Sequence, residues 1–403
     1  KYSHDAAACL RSVDTPHTAS LEKRPVCVNV PNERLSRKKH DGGHVAHSVR
    51  AALNHANASL DDVVAVVQNN HHHRLAQHER DMPYRVAQSL EPVEALSPYN
   101  LLPDVPRVEL SHHLAHAWAA LEQAPFDEGL IVVFDGMGEA HDAVKAADAA
   151  AEPDYVHDGR LSACPRAGFQ QVPAELDEHK RYREAESVYS FKSRELRRVF
   201  KRWVPHRTPP ELYNHGFESM ESLGAVYSRV SSHIFGDWNT CGKVMGLAPW
   251  RATWAADAPD AASLDGGSTG TLELLRGELD GDKGDAFTVN WAALTSLPHC
   301  NGWRELPPGV SAGDGGDRVQ AERLFHAQLA SSAQTALEEK TLSFLRRLRQ
   351  RTGAKNLAFT GGVALNSVLN GRIRREAGFE RVFVPACPGD EGIAAGCAAY
   401  ALH

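Results

Sequence analysis

Three short apolar runs in this chain each end in a glycine turn. They read L-I-V-V-F-D-G-M-G-E at 130–139, N-L-A-F-T-G-G-V-A-L-N at 356–366 and R-V-F-V-P-A-C-P-G-D-E-G at 381–392. Runs of four or five apolar residues stopped by glycine are too short for helices and predict buried strands. After the second comes a tight Gly361-Gly362 turn and a predicted helix running to about Gly371; after the third, a helix of small residues. Such a turn at a helix N-terminus presents backbone N–H groups and a favourable dipole to an anion. Gly136 and Gly138 likewise let the backbone come close to a phosphate. Repeated strand–turn–helix units separated by a long middle segment predict an α/β, two-lobed nucleotide-binding fold.

About twenty residues before the first strand, the run S-H-H-L-A-H-A-W places His112 and His116 four residues apart. That spacing puts both imidazoles on one helical face, where they can converge on a single ion. Asp135, at the end of its strand, offers an oxygen ligand from across a cleft, and Asp390 is placed to supply a fourth. Two imidazoles and two carboxylates suit Fe(II), Zn or Mn. Asn366 and Asn370, also four apart, would turn their amides toward a ribose or base. A histidine cluster alone proves little in a chain with 22 of them: His71, His72 and His73 read as the polar mouth of a loop.

Seven motifs run along the whole sequence in order: S-H-D-A-A-A at 3–8, E-R-L-S-R-K-K-H at 33–40, H-H-L-A-H-A, V-F-D-G-M-G-E, G-K-V-M-G-L-A-P, T-G-G-V-A-L-N and P-G-D-E-G-I-A-A-G. Together they resemble the O-carbamoyltransferases of the nodulation and antibiotic-tailoring type, which are related to the tRNA threonylcarbamoyl-transfer proteins and more distantly to actin-like ATPases. The match is weakest over 144–221. The resemblance implies a duplicated actin-like, ribonuclease-H-like fold with mixed sheets, with lobes at 1–127 and 128–403 and acceptor-binding insertions at about 144–221 and 252–316. It also implies transfer of a carbamoyl group from carbamoyl-adenylate to a hydroxyl. In the family, a further C-terminal domain makes that adenylate from ATP, with Mg, and carbamoyl phosphate. The chain ends soon after Asp390, so this adenylate-forming domain is expected to act in trans or to lie outside the sequence, and residues are expected to precede Lys1.

The resemblance tilts the metal of His112, His116, Asp135 and Asp390 toward iron. It places Gly136, Gly138, Lys243, Gly361, Gly362, Val363, Asn366, Asn370 and Gly389 around the nucleotide. An alcohol must also lose a proton during the transfer. His4 and Asp237 are the candidates: His4 as base or orienter, Asp237 as partner of the acceptor hydroxyl, with the two roles exchangeable.

A formal net charge of −7 disfavours a general nucleic-acid binder. Seven cysteines without a C-x-x-C pair suggest free thiols in a reducing, cytoplasmic setting. No apolar run approaches the roughly 20 residues needed to span a bilayer. The expected acceptor is a hydroxylated natural product such as a macrocyclic polyketide, and a homodimer is the default assembly. Two other readings stay open: a tRNA threonylcarbamoyl transferase, and an actin-like kinase or ATPase without transfer chemistry.

Three segments carry architectural expectations of their own. The basic stretch 191–207, with Leu196, Val199, Phe200 and Trp203 at helical spacing, predicts a surface helix. Residues 321–351 predict a long amphipathic scaffold helix, and residues 63–67 predict a strand of the first lobe. Residues 252–284, rich in Gly, Asp and Ala, predict a surface excursion.

Overall fold

The computed structural model describes residues 5–12, 27–43, 45–69, 105–139, 182–205, 220–257, 272–277, 288–290 and 316–402. His4, His71, His72 and His73 lie outside these residues, as does most of the two expected insertions. The strands are β1 (Ala7–Arg11), β2 (Cys27–Pro31), β3 (Val66–Gln68), β4 (Arg107–Glu109), β5 (Glu128–Phe134), β6 (Tyr182–Lys192), β7 (Glu195–Pro205), β8 (Leu275–Arg276), β9 (Thr288–Val289), β10 (Asn356–Thr360) and β11 (Arg381–Phe383). The helices are α1 (Asn32–Ser36), α2 (Ala46–Ala56), α3 (His112–Gln123), α4 (Leu223–Phe235), α5 (Cys241–Leu247), α6 (Trp250–Asp257), α7 (Gly316–Thr352), α8 (Ser367–Glu376) and α9 (Ile393–Tyr400). Among the described residues, no helix is long and apolar enough to cross a membrane.

The largest sheet is mixed, in the order β11-β10-β5-β6-β7. Strands β5, β10 and β11 run parallel, while β5, β6 and β7 form an antiparallel meander. The apolar run of β5 is continuous because both faces of the sheet are covered. Leu130, Val132 and Phe134 point into a core built with α4, α5, α7 and α8. Ile131 and Val133 point the other way, into a second core with α3 and α9.

The long scaffold helix appears as α7. The basic stretch does not form the expected helix: β6 and β7 make a hairpin instead. Its turn is Ser193-Arg194, both in the left-handed region (φ 51° and 70°), a two-residue turn whose twist suits an antiparallel pair. Half of the described basic residues of this stretch are inside, while Lys192, Arg194 and Arg197 stay exposed. Arg198, Lys201 and Arg202 are buried, and Lys201 and Arg202 pair with Glu184 and Glu186 on the neighbouring strand. Cross-strand neutralisation of buried charge thus overrides the helical spacing.

The strand expected at 63–67 starts later, at Val66, because a capping box holds the preceding turn Leu60–Asp62 as a 3-10 helix. Ser59 N–H donates to Asp62 Oδ2 at 2.7 Å. The helix expected directly after Gly361-Gly362 is likewise split. A 3-10 turn covers Gly362–Leu365, and α8 begins only where the Asn366 side chain accepts the Leu369 N–H at 3.0 Å.

Helix α9 explains the run of small residues at the C-terminus. A Cβ on Gly396 would strike the Ala115 carbonyl oxygen in the middle of α3, so glycine permits the two helix backbones to touch. Trp118 and Tyr400 close this contact, with ring centroids 5.6 Å apart. Asp390 begins the turn that leads into α9, so the contact sets its distance from α3. Gly396→Ala is expected to cost about 1–3 kcal/mol by overpacking. It is also expected to weaken metal binding, because α9 must move off α3. Urea denaturation and a metal titration of the variant check both effects.

Candidate metal centre

The sequence places the two histidines at the start of α3, and the structure brings both carboxylates to them. Asp135 follows β5, and Asp390 follows the loop after β11. One donor atom from each of His112, His116, Asp135 and Asp390 lies within 4.8 Å of the others, and all four residues are buried. His112 Nε2 is 2.9 Å from Asp135 Oδ2 and 3.4 Å from Asp390 Oδ1, and His116 Nε2 is 3.4 Å from Asp390 Oδ1. Burial disfavours a charged His112, yet the Asp390 and Asp135 carboxylates raise its pKa well above the ordinary imidazole value. Burial likewise works against the Asp135 charge, but His112 holds its pKa below the ordinary value.

The donor set fits a divalent ion. Neither ring nitrogen of His116 makes a hydrogen bond, although the ring is fully enclosed. A buried imidazole left in that state is costly unless a ligand completes it. Asn69, which the sequence does not flag, orients the other histidine. Its Nδ2 donates to Leu110 O at 2.8 Å, so its Oδ1 faces His112 Nδ1 at 3.2 Å. Nδ1 therefore carries a proton in either charge state of the ring, and the neutral ring that would meet an ion offers Nε2.

Beneath the centre lies a second set of buried groups that the sequence also leaves unflagged. Glu184 Oε2 accepts the N–H of His113, in the first turn of α3, at 3.2 Å and the N–H of Glu139 at 2.9 Å. Its other oxygen takes Lys201 Nζ. One carboxylate thus ties the histidine helix to the D-G-M-G-E turn. Against the cost of burial, Lys201 and His113 lower the Glu184 pKa to about 2. His113 donates or accepts at Ser187 Oγ, 2.7 Å away, and burial lowers its pKa to about 3.

These shifts give the fold an acid limit with a definite sign. The unfolded chain binds a proton on His113 near pH 6.5 while the folded chain resists it, so stability falls as pH drops from 6.5 toward 3. Glu184 adds stability that is complete above 4.5 and is lost as pH falls through about 2. Urea midpoints are expected to fall across pH 6.5 to 3, and His113→Asn is expected to flatten that slope.

The glycines are closely packed. Gly361 sits at φ 91°, where a Cβ would strike the Phe134 carbonyl oxygen, and Gly362 N–H donates to Asp135 Oδ1 at 3.1 Å. Gly361 N–H donates to Pro388 O at 2.9 Å, Gly138 N–H to Glu184 O at 2.8 Å and Gly389 N–H to Glu391 Oε1 at 3.2 Å. These N–H groups thus build the turns onto one another around Asp135 and Asp390. Val363 is buried beside them, and Gly136 follows Asp135 with its carbonyl accepting Ser222 Oγ at 2.5 Å.

The two asparagines face inward. Asn366 Nδ2 donates to Gln334 Oε1 at 2.8 Å, and Asn370 Nδ2 to Ala364 O at 2.7 Å. Lys243 is exposed, with its Nζ 5.4 Å from the centroid of the Phe235 ring. Asp237, also exposed, caps the short turn Trp238–Thr240 by accepting the Asn239 N–H at 2.9 Å.

Residues 314–399, which run from the start of α7 to the Asp390 turn and α9, match the family described as carbamoyltransferase N-terminus. The chain as a whole is similar to longer proteins. It is 24% identical over 429 aligned residues to the uncharacterised protein sll1178 of Synechocystis sp., covering 100% of this chain and 56% of that one. It is 24% identical over 405 residues to the nodulation protein NolNO of Sinorhizobium fredii, covering 96% and 47%. The chain spans about half the length of these relatives. Among solved structures, HypF of T. kodakarensis aligns at 14% identity with a TM-score of 0.37, over 99% of this chain and 48% of that one.

Proposed function

We propose that this chain carries out O-carbamoyl transfer, moving a carbamoyl group from carbamoyl-adenylate to a hydroxyl of a small natural product. The observation that carries the reading is the convergence of His112, His116, Asp135 and Asp390 at the carboxyl ends of the adjacent parallel strands β5 and β10. Crevices at such strand ends are where open α/β sheets take their ligands. The sheet order, a three-stranded antiparallel meander extended by two parallel strands, supports a ribonuclease-H-like lobe, and a duplicated actin-like arrangement is part of the proposal.

A divalent ion held by the four ligands, with iron favoured, would supply Lewis acidity toward the α-phosphate of the donor. The chain's own residues supply the rest. Gly136, Gly138, Gly361, Gly362 and Gly389 are assigned to shaping the backbone on the phosphate side of the donor, where the N–H groups of the last four serve protein acceptors. Val363, Asn366 and Asn370 shape the turn beneath the nucleoside, and Lys243 offers a cation at the rim. His4 is assigned to orienting the donor or the alcohol, and Asp237 to meeting the acceptor. Carbamoyl-adenylate comes from an adenylate-forming domain working with ATP and Mg, in cis or in trans.

The test is incubation of the purified chain with synthetic carbamoyl-adenylate and a panel of hydroxylated scaffolds, following AMP release and the carbamoyl mass gain of the acceptor. Gain on any scaffold supports the reading. ATP hydrolysis without carbamoyl transfer, or transfer to tRNA alone, overturns it.

A further inference from the structure

Two of the motifs, S-H-D-A-A-A and E-R-L-S-R-K-K-H, meet in space beside the metal centre. His40 Nδ1 lies 3.1 Å from each carboxylate oxygen of Asp5, and the His40 N–H donates to Glu33 Oε2 at 3.3 Å. The scaffold holding the pair is hydrogen-bonded around the buried Asn32. Ala6 N–H donates to Asp41 O at 3.0 Å, Asn32 N–H to Ala6 O at 2.8 Å and Asn32 Nδ2 to Gly43 O at 3.0 Å. Asp5 and His40 both sit in the left-handed region, at φ 60° and 55°, a backbone conformation that the surrounding bonds must hold.

The pair adjoins the metal ligands through Glu391, the residue after Asp390. Asn29 Nδ2, on β2, donates to Glu391 O at 2.9 Å, which fixes the turn against the first sheet.

We propose that His40 is the general base of the transfer and Asp5 its positioning residue, an inference that rests on the carbamoyl-transfer reading. Asp5 accepts the Nδ1 proton, which leaves the lone pair of the ring on Nε2, the tautomer a base requires. In the step, the acceptor O–H gives its proton to Nε2 and its oxygen bonds to the carbamoyl carbon. The bond from that carbon to the phosphate oxygen breaks, AMP leaves with the electron pair, and His40 passes the proton to solvent. The groups that act on the imidazole are Asp5 and Glu33, which favour its charge, and Lys39, which opposes it. Led by the Asp5 hydrogen bond and against the effect of burial, they hold its pKa above the ordinary value.

The experiment compares the full chain with three variants, using carbamoyl-adenylate and an accepting scaffold. His40→Asn keeps a side chain that tolerates a positive φ, and His40→Gly leaves both the backbone conformation and a hole for imidazole. His40→Asn is expected to lower kcat by a factor of about 100 to 10,000 with bound metal unchanged. Added imidazole is expected to restore His40→Gly in proportion to its concentration. Asp5→Asn is expected to move the acid limb of the kcat profile to lower pH. A His40→Asn enzyme within roughly threefold of the parent, where loss of a base costs at least a hundredfold, overturns the assignment. So does a second bound ion lost with His40, which would make Asp5, Glu33 and His40 a metal site. If the parent chain releases no AMP with any scaffold, the transfer reading falls and takes the base with it. A parent that transfers beside an unimpaired variant removes the base alone.

Discussion

Replacing His112 or His116 by alanine is expected to abolish bound metal and carbamoyl transfer together, with the fold retained. Each substitution removes one of four side-chain donors whose ligand atoms lie within 4.8 Å of one another. It leaves three donors for the ion, and the gap where the imidazole stood opens the remaining set to water. Asp390→Asn is expected to act in the same direction with a smaller effect on folding, because the amide fits the same space. Asn69→Ala is the graded control. It touches no ion, but frees the His112 ring from its orienting partner at 3.2 Å, and the expected loss of metal affinity is about 10- to 100-fold. Metal content of purified variants, affinity by competition with a chelator and AMP release from carbamoyl-adenylate separate these outcomes. Full activity in His112→Ala or His116→Ala would show that the four residues do not form the reaction centre.

Glu184→Ala is expected to be the most destabilising single change in the described structure. It strips Lys201 of its carboxylate in the core and leaves the N–H groups of His113 and Glu139 without their acceptor. Breaking a buried ion pair from one side costs about 3–5 kcal/mol, a large share of the 5–15 kcal/mol typical of a domain. Lys201 also lies 5.8 Å from the centroid of the Tyr189 ring, a contact too weak to replace the lost charge. Lys201→Met added to Glu184→Ala is expected to recover much of the loss, because it removes the buried cation that this carboxylate served, though the two N–H groups stay unmet. Urea denaturation of the two single variants and the double variant gives the coupling directly. Strict additivity of the single effects would show that the pair is not coupled.

The buried His/Asp cluster that could hold a metal was legible because its signals are local. Helical periodicity puts His112 and His116 on one face whatever surrounds them, and an apolar run that stops at D-G or P-G-D marks a strand end where a carboxylate can stand. Residues 191–207 were misread for a related reason. A periodic string of Arg, Lys, Phe, Trp and Val fits a surface helix and a buried strand equally well until its partner is known. That partner is the Y-R-E-A-E-S-V-Y strand, whose register sets Glu186 opposite Arg202 and Ser187 opposite Lys201. Asn69 carried no signal at all, since its role depends on meeting a helix more than forty residues further along the chain.

Residue spacing along the chain therefore marked out the candidate His/Asp cluster, the strand–turn–helix units and the long scaffold helix, all of which arise from interactions a few residues apart. Packing chose the outer groups that hold the centre: Asn69 on His112, Glu184 between α3 and the D-G-M-G-E turn, Gly396 against Ala115, and Asp5 against His40. These depend on register and burial. A charged or small residue has the same local preferences on a surface as in a core, and only a partner brought in from elsewhere in the chain makes burial of its charge, or close approach of its backbone, favourable.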